Sequence, residues 1–275
     1  MHPVLLPHKF FGCLFKHRRD VWDTSVRGPI GAALGFWQAL ERQGSSIVRD
    51  HPALDQARLA QTVPIGLHGD GGAFSKQDSL FVISWNSISS FLGSSGFTQR
   101  FPFTIVRKGE MAPSTLDELF RVFAWSVNVL LTGITPDRDW DGKPLSGGCE
   151  YIAAGWRAAL VQVRGDWEFY ANTLGFPNWA TGVNMCWLCA ASNTIARLSW
   201  TNFGDDAGWR STRRSHASYS REMEGRGGVP LILKLCIGLT LGCVMVAEWK
   251  KDASPAASIS NAEAVASALE TVGDG

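Results

Sequence analysis

The sequence predicts an α/β (or α+β) fold, a mixed sheet flanked by helices with a small cysteine-containing insertion. Three observations predict it. Three short runs rich in β-branched and aromatic residues come first, and one long amphipathic helix follows them. A fourth apolar run then ends, like the first, in a Gly-Asp step, at Asp166 and Asp70 respectively. With 275 residues and 45% hydrophobic content, the chain is ample for a buried core.

Taken in order, residues 1–30 show no clean period and carry a small basic group, Lys16, His17, Arg18 and Arg19. Residues 31–42 have a helical pattern. Asp50 can cap a second helix, with Pro52 in its first turn, running through Leu54, Ala57, Leu59 and Ala60. Residues 62–67 read as a strand that delivers Asp70 into a glycine turn. Residues 79–88 and 101–107 read as two further strands. Ser114 then caps a helix, with Asp117 in the capping-box position and Gly133 at its end. Its apolar residues Leu116, Leu119, Phe120, Phe123, Val127, Leu130 and Leu131 follow the helical period, so one face packs on the sheet. A turn-rich segment, 135–148, precedes the strand 158–163, which leads to Asp166, and 167–174 reads as a helix. The tail from Ser254 is small and polar, with a short helix at 262–272 capped by Asn261 or Ser260 and stopped by Gly273.

The resulting order is strand, strand, strand, helix, strand, helix. It is the order of an RNase H-like domain, whose two central neighbouring strands each present a carboxylate from the same end of the sheet. The chain divides into a helical segment at 1–60, this domain at 61–250 with the cysteine insertion, and a tail at 251–275.

Bulk charge narrows the function. The formal net charge is +1, where a dedicated nucleic-acid coat would be more basic, so any such contact comes from a local patch. Twelve tryptophans stand against three tyrosines, as core anchors or lids over a groove. His8, Lys9 and Lys16 interrupt the apolar N-terminus, so no signal peptide is expected. The six cysteines then belong to an intracellular, reducing compartment, the nucleus included, where metal or thiol chemistry outranks disulfides. Residues 229–247 are long enough for a membrane span, but Lys234 would cost about 2.5–3.5 kcal/mol near a bilayer centre. With Pro230, Gly238 and Gly242 inside it, the segment reads as buried strands around a turn, and a span is the lesser alternative.

Three constellations carry chemistry. Carboxylates at two strand ends, Asp70 and Asp166, can clamp divalent cations for phosphoryl transfer, with the glycines that follow leaving room for a phosphate. The plainer reading is two strand-end turns with capping aspartates. Cys186 and Cys189 form half a zinc site, with His216, Cys236, Cys243 or Cys149 available to complete it; the alternative is a pair of buried thiols. Arg210, Arg213, Arg214, Arg221 and Arg226, interleaved with Trp209 and Tyr219, can grip phosphates and stack on bases, or form a solvated basic loop. The sequence has no Gly-x-Ser-x-Gly elbow, phosphate-cradling loop or dinucleotide fingerprint, so no small-molecule cofactor is expected.

The runs GLHGDG, SLFVISWNSI, LFRVFAWSVNVLLTG, LVQVRGDWEFY, LGFPNW and CWLCAAS together resemble a tryptophan-rich family expanded in dinoflagellate algae. That family in turn looks like the transposases of cut-and-paste elements of the CACTA and Plavaka type. The resemblance covers roughly residues 62–250. It implies an RNase H-like catalytic domain in which Asp70 and Asp166 are the first two acids and Cys186 and Cys189 belong to a cysteine insertion. Glu248 stands in for the third acid and Trp249 keeps the aromatic, while Lys250 and Lys251 replace a Met-His step.

Two readings follow. In one, the chain is a transposase-derived protein that cleaves or transfers DNA strands. Asp70, Asp166 and Glu248 then hold Mg²⁺ or Mn²⁺, a structural Zn²⁺ sits at Cys186, Cys189 and His216, and the arginines hold the DNA backbone. In the other, the same fold is a catalytically inactive, zinc-stabilised module that binds nucleic acid or protein. Neither reading fixes the oligomeric state, and a homo-oligomer stays open.

Overall fold

The computed structural model describes residues 2–212 apart from 43–47, 49–53, 74, 76–77, 91–99, 167, 175, 177–182, 184–185 and 187–188. These residues form an α/β unit with a four-stranded mixed sheet flanked by helices. The strands are β1 (Thr62–Ala73), β2 (Ser79–Ser87), β3 (Phe101–Arg107) and β4 (Arg157–Gly165), in the order β3-β2-β1-β4. β1 and β3 both run antiparallel to β2, and β4 lies parallel to β1. The parallel pair needs a crossover, and the helix α3 (Thr115–Thr132) supplies it.

Alternation along the strands sorts two cores. One face carries Val63, Ile65 and Leu67 of β1, Phe81, Ile83 and Trp85 of β2, and Leu160 and Val163 of β4. On this face pack α3, through Leu119, Phe120, Phe123, Val127 and Leu130, and the helix α1 (Pro7–His17), through Phe11 and Leu14. Phe103 and Phe123 meet edge to face at 5.1 Å, a geometry the ring quadrupole favours. Each fully buried aromatic on this face contributes about 1.5–3 kcal/mol of transfer free energy. The opposite face, at the amino end of β1, is covered by the helix α2 (Ala32–Arg42). Its Trp37 and Leu40 meet Ala159 and Val161, and the Trp37 indole donates to the Thr62 carbonyl at 2.7 Å.

Several elements differ from the sequence expectation, each for a visible reason. α1 starts at Pro7, whose missing N–H is harmless in a first turn, and it buries His8, Phe11 and Leu14 at helical spacing. The described turn before β1 is a 3₁₀ turn at Gln56–Gln61, capped by Asp55 through Ala57 N–H; Asp50 and Pro52 lie outside the described residues. Ser114 itself has helical backbone angles and its hydroxyl caps nothing. The Thr115 hydroxyl instead accepts from Ala112 N–H at 2.9 Å. Gly133 does end α3, in the left-handed conformation at φ 72°. Residues 169–173 form one π-helical turn (Phe169–Thr173) rather than a regular helix. Trp22–Arg27 forms another π-helical turn.

Pro64 sits in β1 although central strands normally exclude proline. It lies just beyond the β2 ladder, which starts at Ile65, and its carbonyl accepts from Ile88 N–H. The β4 register shifts immediately afterwards, between Ile65 and Gly66. At the other end of the sheet, β3 is an edge strand among the described residues. The segment before α1 lies along it. Leu5 N–H donates to the Phe103 carbonyl at 2.8 Å, and Thr104 Oγ1 meets His2 Nε2 at 2.7 Å and the Pro3 carbonyl at 3.1 Å.

Among the described residues no helix is long and apolar enough to cross a membrane. Residues 229–247 and the helix expected at 262–272 lie outside them.

Candidate functional site

The parallel pairing of β1 and β4 sets the backbone leading into Asp70 beside the backbone leading into Asp166. That ladder ends at Gly69 opposite Gly165, and each glycine is followed at once by its aspartate. Neighbouring strands run about 4.8 Å apart, so the two Gly-Asp steps lie side by side where the β1–β4 ladder ends. Asp70 is exposed. It does not stand in a turn, as the glycine spacing predicts, because β1 continues to Ala73 with Asp70, Gly71 and Gly72 paired to Val82, Phe81 and Leu80. Asp166 directly follows β4, is half-buried, and accepts from Phe169 N–H through Oδ1 at 2.7 Å. One of its oxygens therefore orders the turn beyond the strand.

The glycines of these steps face Phe169. A Cβ at Gly69 would lie 2.7 Å from Cζ of that ring, and one at Gly165 would lie 2.6 Å from its Cγ. Gly71 is crossed by Lys108, whose Nζ would be 2.6 Å from a Cβ there. That ammonium pairs with Glu168 Oε1 at 2.6 Å, tying the end of β3 to the turn after β4. Phe169, Glu168 and Lys108 are the site residues that sequence reasoning missed. The signal was a second Gly-Asp with an aromatic three residues past the aspartate.

On the opposite face, alternation groups Gly66, His68 and Asp70 of β1 with Arg164 of β4. Arg164 crosses Gly66 and donates through Nη2 to Asn86 Oδ1. His68 is buried, and Arg100 donates to its Nδ1 at 3.2 Å, which makes Nδ1 the acceptor. The sheet thus turns from apolar under α2 to polar and cationic toward Asp70.

Asp70 and Asp166 suit a hard divalent cation, which takes carboxylate oxygens from few residues and keeps water in its remaining positions. The third acid, Glu248, lies outside the described residues, as do His216, Arg213, Arg214 and Arg221. Cys186 is half-buried and Cys189 buried, near a hydrogen-bonded loop in which Ala190 N–H donates to Thr212 Oγ1 at 2.9 Å. Among the described residues no three His, Cys, Asp or Glu side chains gather to hold a metal ion. Arg210 is spent locally. It donates to the Gly204 and Phe203 carbonyls, both at 2.9 Å, and its guanidinium lies over Trp209. No family model matches the chain, nor does any curated protein or solved structure.

Proposed function

We propose that this is an RNase H-like, transposase-derived protein that acts on DNA, with Asp70 and Asp166 as the paired acids of a metal-dependent phosphodiester site. The observation that carries the reading is the register of Gly69 opposite Gly165, which sets two Gly-Asp steps side by side on parallel strands. The strand order β3-β2-β1-β4, with β4 parallel to β1 and reached through α3, is the order such a domain requires. Asp70 and Asp166, with Glu248 as the third acid, would hold Mg²⁺ or Mn²⁺. A bound cation supplies Lewis-acid activation of water or a 3′-hydroxyl and offsets charge at the phosphodiester. Asp166 is oriented by its bond to Phe169 N–H, and Arg164 and Arg100 bias the adjoining face toward anions. Asp166→Asn and Asp70→Asn are each expected to abolish Mn²⁺-dependent cleavage of DNA while leaving the melting curve in place. Cleavage at the wild-type rate by either folded variant would sink the reading.

The Asp166–Phe169 bond also favours a second reading, because capping a turn is a sufficient structural reason for this aspartate. In that reading the chain is an inactive module, stabilised by zinc at Cys186 and Cys189 with His216, that binds nucleic acid or protein. It predicts one zinc per chain, lost in Cys189→Ser, and DNA binding that weakens steeply with salt and without turnover. A metal-free wild-type chain that binds regardless of salt argues against it.

A further inference from the structure

We infer that Phe169 is the positioning residue of the two-aspartate site: its ring, laid across Gly69 and Gly165, locks the turn that carries Asp166 onto the strand that carries Asp70. The inference rests on the reading of these aspartates as cation ligands.

Three contacts of one residue make the lock. Phe169 touches Asp166 through its own backbone, where N–H donates to Oδ1 at 2.7 Å. Its ring touches the backbone of both preceding residues, since a Cβ at either glycine would fall inside it. The ring also stacks on Phe81 of β2, centroids 6.1 Å apart and planes 25° from parallel. Phe81 is in turn the register partner of Gly71. One buried ring therefore spans β4, β1 and β2 directly beneath the two acids. The Lys108–Glu168 pair crosses the next inward-facing position, Gly71, and holds the same turn from the β3 side.

This arrangement changes what the glycines are for. Gly69 and Gly165 face a buried ring rather than solvent, so their bareness makes room for Phe169. Any side chain at 69 or 165 would lift the ring and with it the turn that aims Asp166. Two carboxylates bind a shared cation only when each is held to within a fraction of an ångström, and supporting residues that fix ligands in this way carry about 10–100-fold in metal affinity.

The test is Mn²⁺ titration of the full chain by calorimetry, well below the unfolding transition, on the wild type and on Asp166→Asn, Phe169→Leu, Phe169→Tyr and Gly69→Ala. Phe169→Leu is expected to weaken Mn²⁺ binding by about tenfold or more. Phe169→Tyr, which keeps the ring, should retain most of the affinity. Gly69→Ala should also weaken binding, and should add little in the Phe169→Leu background, where the ring it would strike is gone. Phe81→Leu removes the stacking partner but leaves Phe169 in place, and serves as the second variant if Phe169→Leu does not fold; a loss in the same direction is expected. If folded Phe169→Leu or Phe81→Leu binds as tightly as the wild type, this inference falls alone. If the wild type binds no better than Asp166→Asn, the two-aspartate reading falls and takes this inference with it.

Discussion

Acidification should destabilise this protein through His8, and the size of the effect follows from the packing. His8 lies in the first turn of α1 beneath α3, 2% exposed. Its Nδ1 meets the Ser126 hydroxyl at 2.8 Å, and its ring stands edge-on to Trp125 with centroids 4.9 Å apart. Nε2 is buried with no hydrogen-bond partner among the described residues, so a doubly protonated ring would hold an unsatisfied N–H there. Burial, reinforced by the Lys9 charge, lowers the imidazole pKa from 6.5 to about 4. The sign follows. Above pH 6.5 the ring is neutral in both states and its full contribution is present. Between pH 6.5 and 4 the unfolded chain takes up a proton that the folded one refuses, so stability falls by up to about 1.4 kcal/mol per pH unit, about 3 kcal/mol in all. Below pH 4 the loss levels off. Against a typical total of about 5–15 kcal/mol this is readily measured. Urea unfolding of the wild type and His8→Gln from pH 7.5 to pH 4 isolates the term, because the other titrating groups are common to both. The wild type's advantage should shrink by about 3 kcal/mol over that range. Parallel stability curves, with a constant gap, would refute the reasoning.

Three further outcomes are expected. Gly28 has φ 68°, and a Cβ there would fall on the Ser89 carbonyl, 2.6 Å from its carbon; Gly28→Ala should lose more than about 4 kcal/mol or fail to fold, as read by soluble yield and melting. Trp37→Phe keeps the ring contacts of α2 but strands the buried Thr62 carbonyl, and should cost about 1–3 kcal/mol in urea unfolding. Arg121 ties α3 to the Trp140 carbonyl at 3.1 Å and to Asp141 at 2.7 Å from an exposed position. Arg121→Ala should leave the melting temperature nearly unchanged yet speed proteolysis within residues 135–148.

How far the fold was legible depended on whether a residue's neighbours in sequence were also its partners in space. Strand β3 and the stop of α3 at Gly133 follow from local pattern and chirality, and both were readable. The helix α1 was obscured because Phe10 and Phe15, only partly buried, blur the spacing of His8, Phe11 and Leu14. Ser114 has the identity of a cap, but its backbone is already helical, so its hydroxyl cannot serve one. The Gly69–Gly72 run is the sharpest failure. Four residues of glycine and aspartate read as a turn by local chemistry. Here two of the glycines are bare because Phe169 and Lys108, from 100 and 37 positions further along the chain, need the space. The two Gly-Asp steps were visible as matching motifs, but their adjacency was not, because it depends on the parallel register of β1 and β4, a property of the assembled sheet.

The strap of residues 2–5 along β3 has a practical consequence for handling the protein. An uncovered edge strand is a template for pairing with other chains, and this one would present the Phe103 carbonyl beside Ile105, already 51% exposed. Trimming residues 1–6 would also leave the Thr104 hydroxyl without His2 and Pro3. The trimmed chain should self-associate and precipitate as its concentration rises, more than the intact chain does, as read by light scattering. Covering this edge of the sheet is thus the work of a few residues ahead of the first helix, and tags or cleavage sites are better placed at a distance from them.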